Sequence, residues 1–159
     1  MRVFLLTGKR HAGKSTALHD LVQRRPGHWG GVVCVPVFEG GQKVGSDAVD
    51  VMTGERVSFA RTSGEGIRVG RYHVSPAGIA HGRRAIERAV REGRPVIVDE
   101  VGRLELRGEG FMPSVRRAVA EAPQVLLVVR EELQQAVAEK LGLRRPAVLS
   151  LCRPLAEQL

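Results

Sequence analysis

With 159 residues, 43% of them hydrophobic and 26% charged, the chain is sized for one ordinary globular domain, residues 1–159, around a single α/β core. Its longest apolar runs, such as Pro95–Val98 and Val125–Val129, fall far short of the roughly 20 residues that cross a bilayer. Met1 and Arg2 lead straight into a strand-like run with no apolar leader, so a cytoplasmic protein without membrane contact is expected.

The formal charge of +8 is carried mainly by arginine, because Lys9, Lys14, Lys43 and Lys140 are the only lysines. Arginine suits phosphates and carboxylates, which favours triphosphates and nucleic acid as partners. The arginines are scattered and only 4% of residues are aromatic, so stacking platforms for nucleic acid are few and that partner is permitted but not favoured. Cys34 and Cys152 sit in apolar runs without a His or Cys at ligand spacing and are expected to be buried, inert thiols.

In chain order, Val3–Thr7 reads as a strand ended by Gly8, and Lys14–Arg25 as a helix with Ala17, Leu18, Leu21 and Val22 on one face. From Gly31 to about Val74 the texture is β-rich, with a hairpin signal at Gly40-Gly41 and a tight turn at Thr53-Gly54-Glu55. Ser75-Pro76 is an N-cap followed by proline at the first helical position, opening a helix that Gly93 stops. Pro95–Asp99 is the next strand. Met112–Ala122 reads as helix, Val125–Val129 as a buried strand, Glu131–Leu141 as helix and Pro146–Leu151 as a last strand. Alternation of strands and helices at both ends predicts a parallel core, and the middle adds antiparallel strands.

Between the first strand and helix lies Gly8-Lys9-Arg10-His11-Ala12-Gly13-Lys14-Ser15, a match to G-x-x-x-x-G-K-[ST] in the context that mechanism demands. Backbone N–H groups of such a loop wrap phosphates and the helix N-terminus adds a favourable dipole. Lys14 then reaches the β- and γ-phosphates, Ser15 offers its hydroxyl to Mg2+, and Thr16 stands near the α-phosphate. His11 is read as facing solvent.

Val96-Ile97-Val98 delivers Asp99 and Glu100 to a strand's C-terminal end, where α/β sheets bind ligands. Asp99 is expected to hold Mg2+ through water, and Glu100 to orient or deprotonate an attacking water. In the loop after them, Gly102 allows close backbone approach, Arg103 supplies a cation for charge developing on the γ-phosphate, and Glu105 positions Arg103 or the metal's waters. The arginines Arg83, Arg84, Arg88 and Arg91 are read as a solvated helix face, and Trp29 and Tyr72 as packing residues.

These features resemble the small single-domain P-loop nucleoside-triphosphatases known as cancer-related or thermophile nucleoside-triphosphatases. The resemblance covers most of the chain: the N-terminal loop, Val44-Gly45 through Val49-Asp50 and Thr53-Gly54-Glu55, Val69-Gly70-Arg71-Tyr72, and above all Asp99-Glu100-Val101-Gly102-Arg103-Leu104-Glu105-Leu106. It implies a RecA-like, mainly parallel mixed sheet with helices on both faces and a β-rich insertion. It also implies Mg2+-dependent hydrolysis of NTP to NDP and phosphate with broad base tolerance, Lys14 and Ser15 touching phosphate and metal, and Asp99 and Glu100 as the site's acids. Arg103 stands where that family carries lysine, and Ser46 where an aromatic residue often follows the glycine.

Two other readings use the same phosphate loop. A nucleoside or nucleotide kinase needs an acceptor pocket and an arginine-rich lid, for which Arg56, Arg61, Arg68 and Arg71 are available. A nucleotide-binding accessory or switch protein turns over slowly alone; a guanine-reading Asn-Lys-x-Asp segment is absent from the chain. The adjacent Asp99-Glu100 pair favours activation of water, and a monomer is expected.

Overall fold

The computed structural model describes residues 2–9 and 12–159. β1 (Arg2–Gly8) leads through the glycine loop to α1 (Lys14–Arg24). β2 (Gly30–Glu39) and β3 (Gln42–Asp50) form a hairpin about Gly40-Gly41, followed by β4 (Arg56–Arg61) and the short pair β5 (Ile67–Val69) and β6 (Tyr72–Val74). α2 (Pro76–Arg91) opens as expected, with the Ser75 hydroxyl accepting from the Gly78 N–H and Pro76 at the first helical position. β7 (Val96–Val101), α3 (Arg103–Leu106), α4 (Met112–Glu121), β8 (Gln124–Arg130), α5 (Gln134–Lys140) and β9 (Ala147–Leu149) complete the chain.

Among the described residues nine strands form one sheet in the order β5-β6-β4-β3-β2-β7-β8-β1-β9. Neighbours from β2 to β9 are parallel and those from β5 to β2 antiparallel. β2 belongs to both halves: Gly30–Val32 pair with Val96–Val98 of β7, while Val32–Glu39 pair with β3. Gly31 permits that junction, with φ of 107° and a Cβ position that would lie 2.0 Å from the Ile97 carbonyl oxygen.

The central strands are apolar runs because both faces are covered. Alternate residues sort between two layers. Leu5, Val96, Val98, Val125 and Leu127 meet α2, α4 and α5, whereas Phe4, Leu6, Ile97, Leu126 and Val128 meet Leu18 and Leu21 of α1 together with Trp29. Helices therefore cover both faces of the parallel half, as the sequence implied. A third cluster, Ala60, Val74, Ile79 and Leu104, lies under the antiparallel half, and Phe111, stacked on Phe59 with ring centroids 5.2 Å apart, links it to the main core.

The structure differs from the sequence reading in several places. The segment after Asp99 is no loop: β7 runs on to Val101 and α3 follows at once. The helix expected over 131–141 opens with a 3-10 turn at Glu131–Leu133, and the last strand is confined to Ala147–Leu149. A 3-10 turn at Leu155–Glu157 buries Leu155 in the cluster under α1. Cys152 is exposed, because it lies in the turn between β9 and the last 3-10 turn rather than in a packed element, and Cys34 is half-buried. Arg83 and Arg88 are not simply solvated: Arg83 donates to the Gly110 carbonyl and Arg88 pairs with buried Asp50 at 2.7 Å.

Candidate active site

Parallel strands end on the same side of a sheet, and here the C-terminal ends of β1, β7 and β8 open on a cleft of about 490 Å3. Gly13, at φ 94°, is the N-cap of α1 and turns the loop into the helix; its carbonyl accepts from the Ala17 N–H at 3.0 Å. Among the described residues no side chain caps this terminus, which leaves the first-turn N–H groups beside the cleft as anion donors. Ser15 and Thr16 are exposed there, and Lys14 Nζ donates to the Gly8 carbonyl at 2.9 Å. Arg10 and His11 lie outside the described residues. Lys9 is exposed in the loop, where its carbonyl accepts from the Ala12 N–H at 3.1 Å.

The opposite wall is β7. Asp99 stays in register with Val128 of β8, but the pairing then slips so that Val101 opposes Val129 and Glu100 has no partner. Such a bulge re-aims one side chain. It leaves Asp99 buried, 7% exposed, and Glu100 exposed in the cleft. Burial, reinforced by the neighbouring Glu100 charge, pushes the Asp99 carboxyl up to about 7, against the Cys34 N–H that donates to its Oδ2 at 3.2 Å and the charges of Lys14 and Lys43. Cys34 Sγ donates to the Asp99 carbonyl at 3.0 Å; burial, then the Asp99 and Glu100 charges, raise this thiol well above its usual range and keep it a protonated strut.

Lys14, Ser15, Asp99 and Glu100 thus share one cleft although about 85 residues separate the two motifs. Sequence reasoning missed two of its cations. Lys43 arrives near the start of β3 by way of the hairpin, beside Ser46 of the same strand, and Arg130 ends β8 opposite Gly8 of β1. Neither cation sits in a motif; the signal is only its place at a strand end. Phe38, 57% exposed on β2, forms part of the rim.

Arg103 lies instead in an adjoining cleft of about 450 Å3, which shares Lys43, Ser46, Glu100 and Arg130 with the first. Glu105 does not touch Arg103. It is buried, its Oε1 accepts from the Gly102 N–H at 2.8 Å and its Oε2 from the Phe111 N–H at 2.9 Å, so it ties the start of α3 to the start of α4. Burial raises its carboxyl despite those donors. Tyr72 is half-buried beside the second cleft, and Trp29 is in the core.

Ser15 and Asp99 offer hard oxygen donors across one cleft, which fits Mg2+, a cation that takes one or two protein oxygens alongside substrate phosphates. Among the described residues no group of three or more His, Cys, Asp and Glu gathers as a metal cage, and no helix is long and apolar enough to cross a membrane.

A family model described as NTPase matches residues 3–153. The chain is 36% identical over 148 residues to the nucleoside-triphosphatase THEP1 of Methanopyrus kandleri, covering 91% of this chain and 82% of that protein. To the THEP1 of Thermofilum pendens it is 38% identical over 133 residues, covering 80% and 73%. Two solved structures share the fold at 22% identity: THEP1 from Aquifex aeolicus, with a TM-score of 0.75 over 99% of this chain and 93% of that one, and a human cancer-related nucleoside triphosphatase, with 0.71 over 94% and 88%. The resemblance read from the glycine loop, the middle segment and the Asp99–Leu106 stretch holds along nearly the whole chain, which belongs to the NTPase family.

Proposed function

We propose that this chain hydrolyses nucleoside triphosphates to the diphosphate and phosphate in the cleft between the glycine loop and β7. The observation that carries the reading is Glu100, bulged out of β7 into the cleft that holds Lys14 and Ser15, beside a buried Asp99. The loop N–H groups and α1 terminus bind the phosphates, Lys14 neutralises charge on the β- and γ-phosphates, and Ser15 and Asp99 hold Mg2+. When bound, the metal supplies positive charge to the β- and γ-phosphate oxygens. Glu100 orients a water toward the γ-phosphorus and takes its proton, so that the bond to the β–γ bridging oxygen breaks and the diphosphate leaves. Arg130 and, from the adjoining cleft, Arg103 are the arginines placed to meet charge on the γ-phosphate.

Broad base tolerance follows from the exposed ring of Phe38, since stacking accepts any base where hydrogen-bonding donors would choose one. The reading carries with it a single nucleotide-binding domain over 1–159, working as a cytoplasmic monomer. Phosphate release from ATP, GTP, CTP and UTP with Mg2+, compared between wild type and Glu100→Gln, tests it. Turnover of several nucleotides that is lost in the variant supports hydrolysis, whereas an unimpaired variant removes Glu100 from the mechanism.

A further inference from the structure

The hydrolytic cleft lies at one end of the parallel strands, and a group of cations without ion pairs gathers at the other. Each helix that leads into a parallel strand ends where that strand begins, so the C-termini of α1, α2 and α5 lie at the edge opposite the cleft, where β2, β7 and β9 start. That edge collects Arg25 after α1, Arg91 closing α2, Lys140 closing α5, Arg144 and Arg145 before β9, and Arg2 opening β1, all exposed. Scattered in the sequence, they are drawn together by register: Arg2 and Arg145 each stand two residues before Phe4 and Ala147, which pair on neighbouring strands. Among the described residues none of them makes an ion pair. The acids of the same edge are already occupied, Asp20 by Arg24, Glu92 by Arg94, Glu121 by Arg117 and Glu139 by Gln135. The cations act together at His28, whose imidazole is held below its ordinary value by burial first and then by the charges of Arg25 and Arg94.

Helix C-termini attract positive charge, which accounts for Arg25, Arg91 and Lys140. It does not account for Arg2, Arg144 or Arg145, which belong to no helix. Arg145 moreover takes φ of 51°, a left-handed conformation that residues other than glycine rarely adopt, and a strained backbone kept at an exposed arginine points to use rather than packing. The exposed large hydrophobics, Phe38 and Val148, lie on the cleft rim and midway along β9, and Phe4 and Trp29 near this edge are buried. The edge therefore offers no apolar anchor for a protein or a bilayer and no Phe, Tyr or Trp on which an unpaired base stacks. It offers arginines, which suit phosphate, spread along five parallel strands. Those strands span about 19 Å at the usual spacing of roughly 4.8 Å, a length over which a nucleic-acid duplex presents about ten phosphate charges.

We propose that this edge binds the phosphate backbone of double-stranded nucleic acid, without reading its bases and away from the nucleotide cleft. The inference goes beyond the hydrolytic reading and does not depend on it.

Fluorescence anisotropy of the whole chain with labelled duplexes of two unrelated sequences, each of about 20 base pairs, tests it across salt from about 50 to about 200 mM. Both duplexes should bind alike, with Kd of about 10 μM or below at the lowest salt. Arg144→Ala combined with Arg145→Ala should flatten the slope of log Kd against log salt by about 2, one for each lost phosphate contact. Arg2→Ala combined with Arg25→Ala should repeat the effect, so that a folding defect in one pair cannot stand in for it. Arg84→Ala combined with Arg107→Ala removes the same charge from exposed positions elsewhere and should leave the slope near wild type. No binding at the lowest salt overturns the proposal, as does an equal loss in all three pairs, which would make the binding an effect of net charge alone. A slope untouched in both edge pairs overturns the assignment to this edge. Binding to vesicles of phosphatidylserine and phosphatidylcholine without binding to either duplex overturns it in favour of a lipid surface.

Discussion

The two halves of the sheet are built by different rules and carry different parts of the chemistry. In the parallel half, β2, β7, β8, β1 and β9 are held between helices, and the groups proposed to act on phosphate and water leave from strand ends that cannot shift without disturbing a packed core. The antiparallel half contributes a cation from β3, a ring and a cation at the start of β6, and the walls of the second cleft. Stiff elements hold the reacting groups, and hairpins shape what lies beside them. A protein can thus vary its recognition surface while the hydrolytic centre stays fixed.

Substitutions that touch one half at a time break or sharpen this contrast. Glu100→Gln should lower phosphate release about 10²- to 10⁴-fold with nucleotide binding and thermal stability retained, because general-base assistance is lost and the bulge that presents the side chain is not. A melting temperature that moved with the rate would mean that the bulge depends on the charge. Phe111→Ala should cost about 3–5 kcal/mol in denaturant unfolding, and it should loosen both halves together, since this fully buried ring packs on Phe59 and against Gly82 of α2. Loss confined to the antiparallel strands, read by amide exchange, would show that the halves unfold separately.

Lys14→Ala should weaken triphosphate affinity about 10- to 100-fold, the value of one charged hydrogen bond, and leave stability near wild type. Unchanged affinity would remove the glycine loop from the site. The smallest effect belongs to Asp47 on β3. Its burial pushes the carboxyl up, but Arg61 at 2.7 Å and Arg56 at 3.1 Å more than offset this and hold it below its ordinary value. Its contribution is therefore complete above the unfolded value of about 3.9 and drains away as pH falls through the lower folded value. Asp47→Asn should remove under about 1 kcal/mol at neutral pH and narrow its difference from wild type in acid.

What could be read in the sequence is what is local. The glycine loop and the Asp99-Glu100 pair are contiguous motifs, each beside a strand or helix that its own pattern announces, and the Ser75-Pro76 cap marks α2 by hydrogen bonding within four residues. What could not be read depends on contacts between distant segments. α3 is a four-residue turn held by the Glu105 carboxylate, one oxygen on Gly102 and the other on Phe111, and no periodicity foretells that. Lys43 and Arg130 reach the cleft only because the β2–β3 hairpin and the end of β8 converge there. The second cleft is assembled from β3, β4, β6, α3 and the end of β8, and Arg103 falls into it for that reason.

The order of the sheet also bears on how the protein behaves in a crowded solution. Its outermost strands, β5 and β9, are each three residues long, while the long and apolar β2 is enclosed on both sides by β7 and β3. Exposed strand edges are templates on which other chains add, and a three-residue edge offers too few unpaired N–H and C=O groups to seed such growth. The antiparallel insertion therefore shields the flank that would otherwise be stickiest, and removing its outer strands β5 and β6, which supply nothing to the hydrolytic cleft, should cost solubility before it costs any step of phosphate chemistry.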